Sequence, residues 1–102
     1  MSFSVLPQKT EIKSIAARTK AFNVKWDAMT KQTSGYQIQY STSNKFASDN
    51  KLVNITSNTT VSKTIENLKA NQKYYVRVRT YKTVNGKNYY SHWSAIKSVT
   101  MK

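Results

Sequence analysis

Any chemistry in this chain would have to come from very few groups. The carboxylates are Glu11, Asp27, Asp49 and Glu66, and the sole histidine is His92. General acid–base catalysis needs a pair of tuned titratable groups, and a metal centre needs three or four ligands. Four acids and one imidazole scattered over 102 residues can barely supply either. Cysteine is absent, which removes disulfides, thiolate metal sites and cysteine nucleophiles together. The inventory argues against an enzyme, with no catalytic, metal-binding or cofactor-binding residue and no cofactor expected.

The basic groups are the opposite case, since seventeen Lys and Arg against four acids give a net charge of +13. One reading is a surface that holds an anionic polymer, such as wall teichoic acid, an acidic glycan or nucleic acid. The other is solubility and protection of strand edges, because the lysines are dispersed through the chain and never adjacent. No recognised nucleic-acid-binding motif is present, so specific nucleic-acid binding is not expected.

The elements that must position these groups show in the side-chain period. Successive side chains on a strand point to opposite faces, so apolar/polar alternation marks a half-buried strand. Residues 22–27 alternate with Phe22, Val24 and Trp26 on one face, and residues 36–40 do the same with Tyr36, Ile38 and Tyr40. The strongest run is 74–81, where Tyr74, Val76 and Val78 form the inward set and Tyr75, Arg77, Arg79 and Tyr81 face the other way. Weaker candidates lie at 11–17, 52–56, 61–65 and 95–101. Turn signals separate them, the best being Asn85-Gly86, which suits the positive φ angles of a type I′ hairpin. No segment carries the 3.6-residue period of a long helix, and no apolar run exceeds three residues, so membrane insertion is not expected. Residues 1–7 lack the basic and apolar regions of a signal peptide and read as a linker or expression remnant ending at Pro7. Residues 8–102 then form one domain. The expected fold is all-β: a seven-stranded, immunoglobulin-like antiparallel β-sandwich.

Three groups of residues in this order resemble the fibronectin type III domain over roughly residues 8–102. Trp26 stands where the family buries a tryptophan on its second strand. Leu68, Tyr74, Val76 and Val78 match the tyrosine-corner stretch, with Ala70 in place of the usual proline. Ser91-His92-Trp93-Ser94 resembles the Ser-x-Trp-Ser that opens the family's last strand. The resemblance implies a structural core containing Trp26, Leu68, Tyr74, Val76 and Val78, with the Tyr74 hydroxyl bonded to backbone near Leu68. The lysine-rich, cysteine-free style resembles repeats in Gram-positive bacterial surface and secreted proteins.

The resemblance implies a non-catalytic spacer or interaction module of a larger extracellular or cell-surface protein, monomeric, with the neighbouring domains of its parent chain as partners. Two alternatives stay open. One is a module binding glycan or anionic wall polymer through Arg77, Arg79, Tyr81, Tyr89, Tyr90 and Trp93. The other is recognition of a protein ligand by the loop between the last two strands, where tyrosines flank Asn85-Gly86. On the outward face of 74–81, relatives with a Trp-Ser-x-Trp-Ser motif interleave Trp and Arg side chains. This chain keeps only the second half, with Tyr90 and Ser91 in the first position. The expectation is therefore a shortened stack of Trp93 on Arg77 or Arg79, extended by at most one tyrosine.

Overall fold

In the computed structural model, which describes residues 8–30, 33–47 and 50–102, eight strands form two antiparallel sheets. The expected linker 1–7 and the carboxylate Asp49 lie outside the described residues. Strands β1 (Ile12–Arg18), β2 (Ala21–Trp26) and β5 (Ser62–Ile65) make a three-stranded sheet in the order β1-β2-β5. The second sheet has five strands. It runs β4 (Lys51–Ile55), β3 (Gly35–Ser41), β6 (Lys73–Val84) and then β7 (Lys87–Tyr90), with β8 (Lys97–Thr100) also pairing with β6.

The alternation in the sequence sets the layers. Phe22, Val24 and Trp26 from one sheet meet Tyr36, Ile38, Val76 and Val78 from the other, and all seven are at most 1% exposed. Trp26 and Tyr36 hold ring centroids 5.4 Å apart at a tilt of 54°. The Tyr36 hydroxyl is satisfied twice: it accepts from the Met29 amide at 2.8 Å and donates to the Asn58 carbonyl at 2.7 Å. Trp26 Nε1 is buried with no hydrogen-bond partner among the described residues. At the other end of the core, the Lys69 amide donates to the Tyr74 hydroxyl at 3.4 Å, and Leu68 is half-buried against the cluster.

The strand count corrects the expectation of seven. β6 is four residues longer than the alternating run because it continues into the hairpin arm, where Asn85 (φ 54°) and Gly86 (φ 80°) turn the chain into β7. The closing strand is then divided: β7 pairs with Tyr81–Val84 of β6, β8 pairs with Lys73–Val76, and residues 91–96 between them leave the regular ladder. Along one side β1 lies against β8, while β4 and β5 are the edge strands of the other.

Candidate functional site

The outward parity of β6 places Arg77 and Arg79 on the solvent side of the five-stranded sheet, opposite Gln39 and Gln37 of β3. Register alone makes them neighbours, and the hydrogen bonds fix them. Arg77 Nε donates to Gln39 Oε1 at 2.7 Å, and Arg79 Nε donates to Gln37 Oε1 at 2.8 Å. Each glutamine passes the arrangement on through its amide nitrogen, to Asn50 Oδ1 at 3.4 Å and to Asn54 Oδ1 at 2.9 Å. Two rows of side chains thus cross the sheet from its edge to its centre. The planar guanidinium groups are held by these bonds, which a flexible ammonium could not reproduce.

Aromatic rings contact both guanidinium groups. Arg77 lies 4.3 Å from the Phe46 ring and 4.4 Å from the Trp93 ring. Arg79 lies 4.2 Å from Trp93 and 3.8 Å from Tyr90. The contact order is Phe46, Arg77, Trp93, Arg79, Tyr90. At about 0.5–1 kcal/mol for each exposed cation–π contact, these four contribute roughly 2–4 kcal/mol. Desolvation among the rings pushes both guanidinium groups below their ordinary pKa. For Arg79 the nearby Tyr90 oxygen opposes that shift and the Arg77 charge adds to it. The ring faces and glutamine carbonyls offset the cost of bringing two like charges together.

The segment between β7 and β8 supplies Trp93 by a three-residue repeat. Ser91 and Ser94 both turn toward β6, while Tyr90 and Trp93 lie over the arginines, the spacing expected of a chain with three residues per turn. The Ser91 amide donates to the Thr80 carbonyl at 3.0 Å, and the Ser91 hydroxyl accepts from the Thr80 amide, also at 3.0 Å. Ser94 repeats this against Val78, with its amide donating at 2.8 Å and its hydroxyl accepting at 3.0 Å. Each hydroxyl then donates to the next carbonyl, Ser91 to His92 at 2.9 Å and Ser94 to Ala95 at 3.1 Å. Two side-chain oxygens thereby replace the carbonyls that a regular strand would offer β6. At the far end of the segment, the Ala95 amide donates to Glu11 Oε1 at 3.2 Å. That hydrogen bond, the Lys9 ammonium at 3.1 Å and the nearby Lys97 charge hold the Glu11 carboxyl below its usual pKa.

The structure sorts the candidate surface residues. Arg77, Arg79, Tyr90 and Trp93 come together. The stack is not shortened, because Phe46 from the β3–β4 loop adds a ring beyond Arg77. Tyr81 departs from the expectation of an available surface ring and is 8% exposed. It is paired with Gly35, where a methyl group would collide with the Tyr81 ring and the Ile55 carbonyl, and its hydroxyl donates to that carbonyl at 3.3 Å. The absence of a side chain at Gly35 is what lets Tyr81 lie flat. Tyr89 has the opposite parity to Tyr90, sits opposite Lys82 and meets the Lys87 ammonium at 5.4 Å. Phe46, Gln37, Gln39, Asn50 and Asn54 are participants not singled out from sequence. The two glutamines carried a signal, since Tyr36-Gln37-Ile38-Gln39-Tyr40 alternates with the same period as Arg77 and Arg79. Phe46 sits in a turn with φ 55°, and nothing local ties it to residue 77.

Among the described residues no three acidic or histidine side chains converge on a point that could hold a metal. No helix of the described residues is long and apolar enough to cross a membrane. The arrangement on this face is one of cohesion: both guanidinium Nε donors, both glutamine carbonyls and the Trp93 ring are engaged with one another.

The sequence profile described as "Fibronectin type III domain" matches residues 7–99. Among solved structures, the chain is similar to the FN1–FN3 domains of chicken CNTN1, with a TM-score of 0.73 and 24% identity over 92% of this chain and 30% of that one. It is also similar to the fn3 domain of human contactin 1, with a TM-score of 0.73 and 17% identity over 99% of this chain and 88% of that one. A β-1,2-glucanase from Parabacteroides distasonis is matched with a TM-score of 0.71 and 16% identity over 96% of this chain and 14% of the enzyme. No curated protein matches the sequence.

Proposed function

This chain belongs to the fibronectin type III family, and on that premise we propose that it is a non-catalytic spacer module of a larger extracellular or cell-surface protein. Domains of this family are commonly modules of multidomain proteins, typically extracellular and typically without catalysis. The similarity to under a third of one solved chain and to a small part of the glucanase supports the modular reading. The resemblance to Gram-positive surface proteins supplies the proposed setting.

The observation that carries the reading is how the two ends of the domain are tied. Thr80 Oγ1 donates to the Gln8 carbonyl at 2.8 Å. The Met101 amide donates to the Gln72 carbonyl at 3.0 Å and the Lys102 amide to the Arg18 carbonyl at 3.1 Å. Entry is thus fastened to Thr80 within β6, and exit to Gln72 just before β6 and to Arg18 at the end of β1. Gln72 and Thr80 are eight residues apart, which at about 3.3 Å per residue is roughly 26 Å. The stack and the serine bonds stiffen the path between them. Cysteines introduced at Gln8 and Lys102 would be unique in the chain and would take a dye pair. A single narrow transfer efficiency in native buffer supports the spacer; a broad or multiple distribution argues against it.

A second reading has one observation in its favour. The hairpin arm beyond Tyr81 is exposed from Thr83 to Asn88, with Val84 40% exposed, and a protein ligand could use it. The glycan reading through Arg77, Arg79 and Trp93 has less support, because the Trp93 ring is already stacked on both guanidinium groups.

A further inference from the structure

A recess of about 420 Å³ opens on the side of the sandwich bounded by the edge strands, lined by Tyr40, Tyr74, Lys51, Lys69 and Glu66 among others. It is separate from the stacked face and owes nothing to the spacer reading. Its volume falls within the range of pockets that hold small ligands, about 300–1,000 Å³.

Register explains why charge gathers there. Lys51 pairs with Tyr40, so it shares the core-facing parity of β4 with Val53 and with buried Ile55. A lysine on the inward parity of an edge strand protects that edge from pairing with another chain. Here it also brings an ammonium to the mouth of the recess. From the other sheet, the loop between β5 and β6 brings Glu66 and Lys69. Neither lysine nor the glutamate forms an ion pair among the described residues, where Lys9–Glu11 and Lys13–Asp27 are the ion pairs present.

The floor is aromatic and carries free donors. The Tyr40 ring packs edge-on against Phe22 at 5.9 Å and Tyr74 at 6.2 Å. Its hydroxyl has no hydrogen-bond partner among the described residues, and burial together with the Tyr74 oxygen raises its pKa, so it stays protonated. The Tyr74 hydroxyl accepts from the Lys69 amide and keeps its own proton to give. Two ammonium groups, two phenolic donors and one carboxylate acceptor therefore surround a space of ligand size.

We propose that this recess binds a uronate unit of an acidic polysaccharide, its carboxylate between Lys51 and Lys69 and its ring hydroxyls donating to Glu66. A bare phosphate or sulfate fits the set less well, because neither offers Glu66 the array of neutral ring hydroxyls set apart from the anionic group that a uronate carries. The open mouth lets a chain continue on either side of the bound unit.

The test is an amide-resolved NMR titration of the domain with tetragalacturonate in about 0.15 M salt, where surface charge is screened beyond roughly 8 Å. Galactotetraose and inorganic phosphate serve as controls. The expected result is saturable shifts confined to residues 40, 51, 66–69 and 74, with weak or absent shifts from both controls. Lys51→Gln and Lys69→Gln should each weaken binding about tenfold, the scale of one charge-assisted hydrogen bond. Tyr40→Phe should weaken it severalfold with an unchanged melting temperature. Equal response to phosphate would reduce the recess to a simple anion site and overturn the proposal. So would shifts spread over all the lysine-bearing surfaces, no saturation, or variants that bind like the parent.

Discussion

Replacing Ser94 with alanine removes one oxygen and strands one amide. Val78 is fully buried, and its N–H reaches the Ser94 hydroxyl at 3.0 Å, with Ser94 itself 5% exposed. Losing that oxygen leaves a buried amide without its acceptor, a desolvation penalty of about 1–3 kcal/mol. The Ala95 carbonyl loses its donor as well, but Ala95 is exposed and water replaces it. A loss of 1–3 kcal/mol corresponds to a drop of roughly 4–24 °C in melting temperature for a domain near 100 residues. Ser91→Ala strands the Thr80 amide in the same way, and Thr80 is also fully buried. Both serines hold the same segment, so the double variant should lose more than the sum of the singles as Trp93 comes away from the arginines. Urea unfolding followed by circular dichroism measures the loss, and hydrogen exchange at the Val78 and Thr80 amides locates it. Ser94→Thr keeps the oxygen and should retain most of the stability. If Ser94→Ala stays within about 0.5 kcal/mol of the parent with the Val78 amide still protected, the hydroxyl is not the partner that matters.

Arg77→Lys keeps the charge but loses the planar fork between Phe46 and Trp93, and should cost about 1 kcal/mol in urea unfolding; an unchanged midpoint would contradict the stack. Gly35→Ala drives a methyl group against the Ile55 carbonyl and the Tyr81 ring, and should cost about 3 kcal/mol or prevent folding, as read from soluble yield and the melting curve. Glu11 titrates below its ordinary value of 4.5 when folded, so its stabilisation is present above that value and is lost as pH falls through the lower folded pKa. Melting temperatures of the parent and Glu11→Ala should therefore converge on acidification below about pH 4.5, and a constant gap between them would refute the Glu11–Ala95 bond as the cause.

The layers of this fold were legible because burial follows parity. Phe22, Val24 and Trp26 faced inward as their spacing demanded, and Asn85-Gly86 turned the chain where its φ angles allow. Parity told less about Tyr81, which has the outward position and is nevertheless covered, because Gly35 opposite leaves room for the ring to lie down. The division of the last strand was hidden for a related reason. Three-residue spacing in 90–94 is no strand signal, and only the β6 amides waiting for an acceptor make sense of two serines at that interval. Phe46 was out of reach of local pattern, since its place on Arg77 depends on a loop conformation and on a strand thirty-one residues further along. The recess at Tyr40 and Lys51 likewise appears only once the edge strand and the β5–β6 loop are brought side by side.

The proposed spacer role is tested most directly by small-angle scattering on a fusion that carries this domain between two compact reporter domains as its neighbours. It is compared with a fusion in which a Gly/Ser linker of equal length replaces the domain. Such a linker is a random coil with a root-mean-square span of about 5–6 Å times the square root of its residue number, and it gives a broad distribution of distances. The account predicts one well-defined separation of the neighbours with this domain in place, unchanged by moderate salt. A distribution as broad as that of the linker, or neighbours that touch each other across the domain, would contradict it.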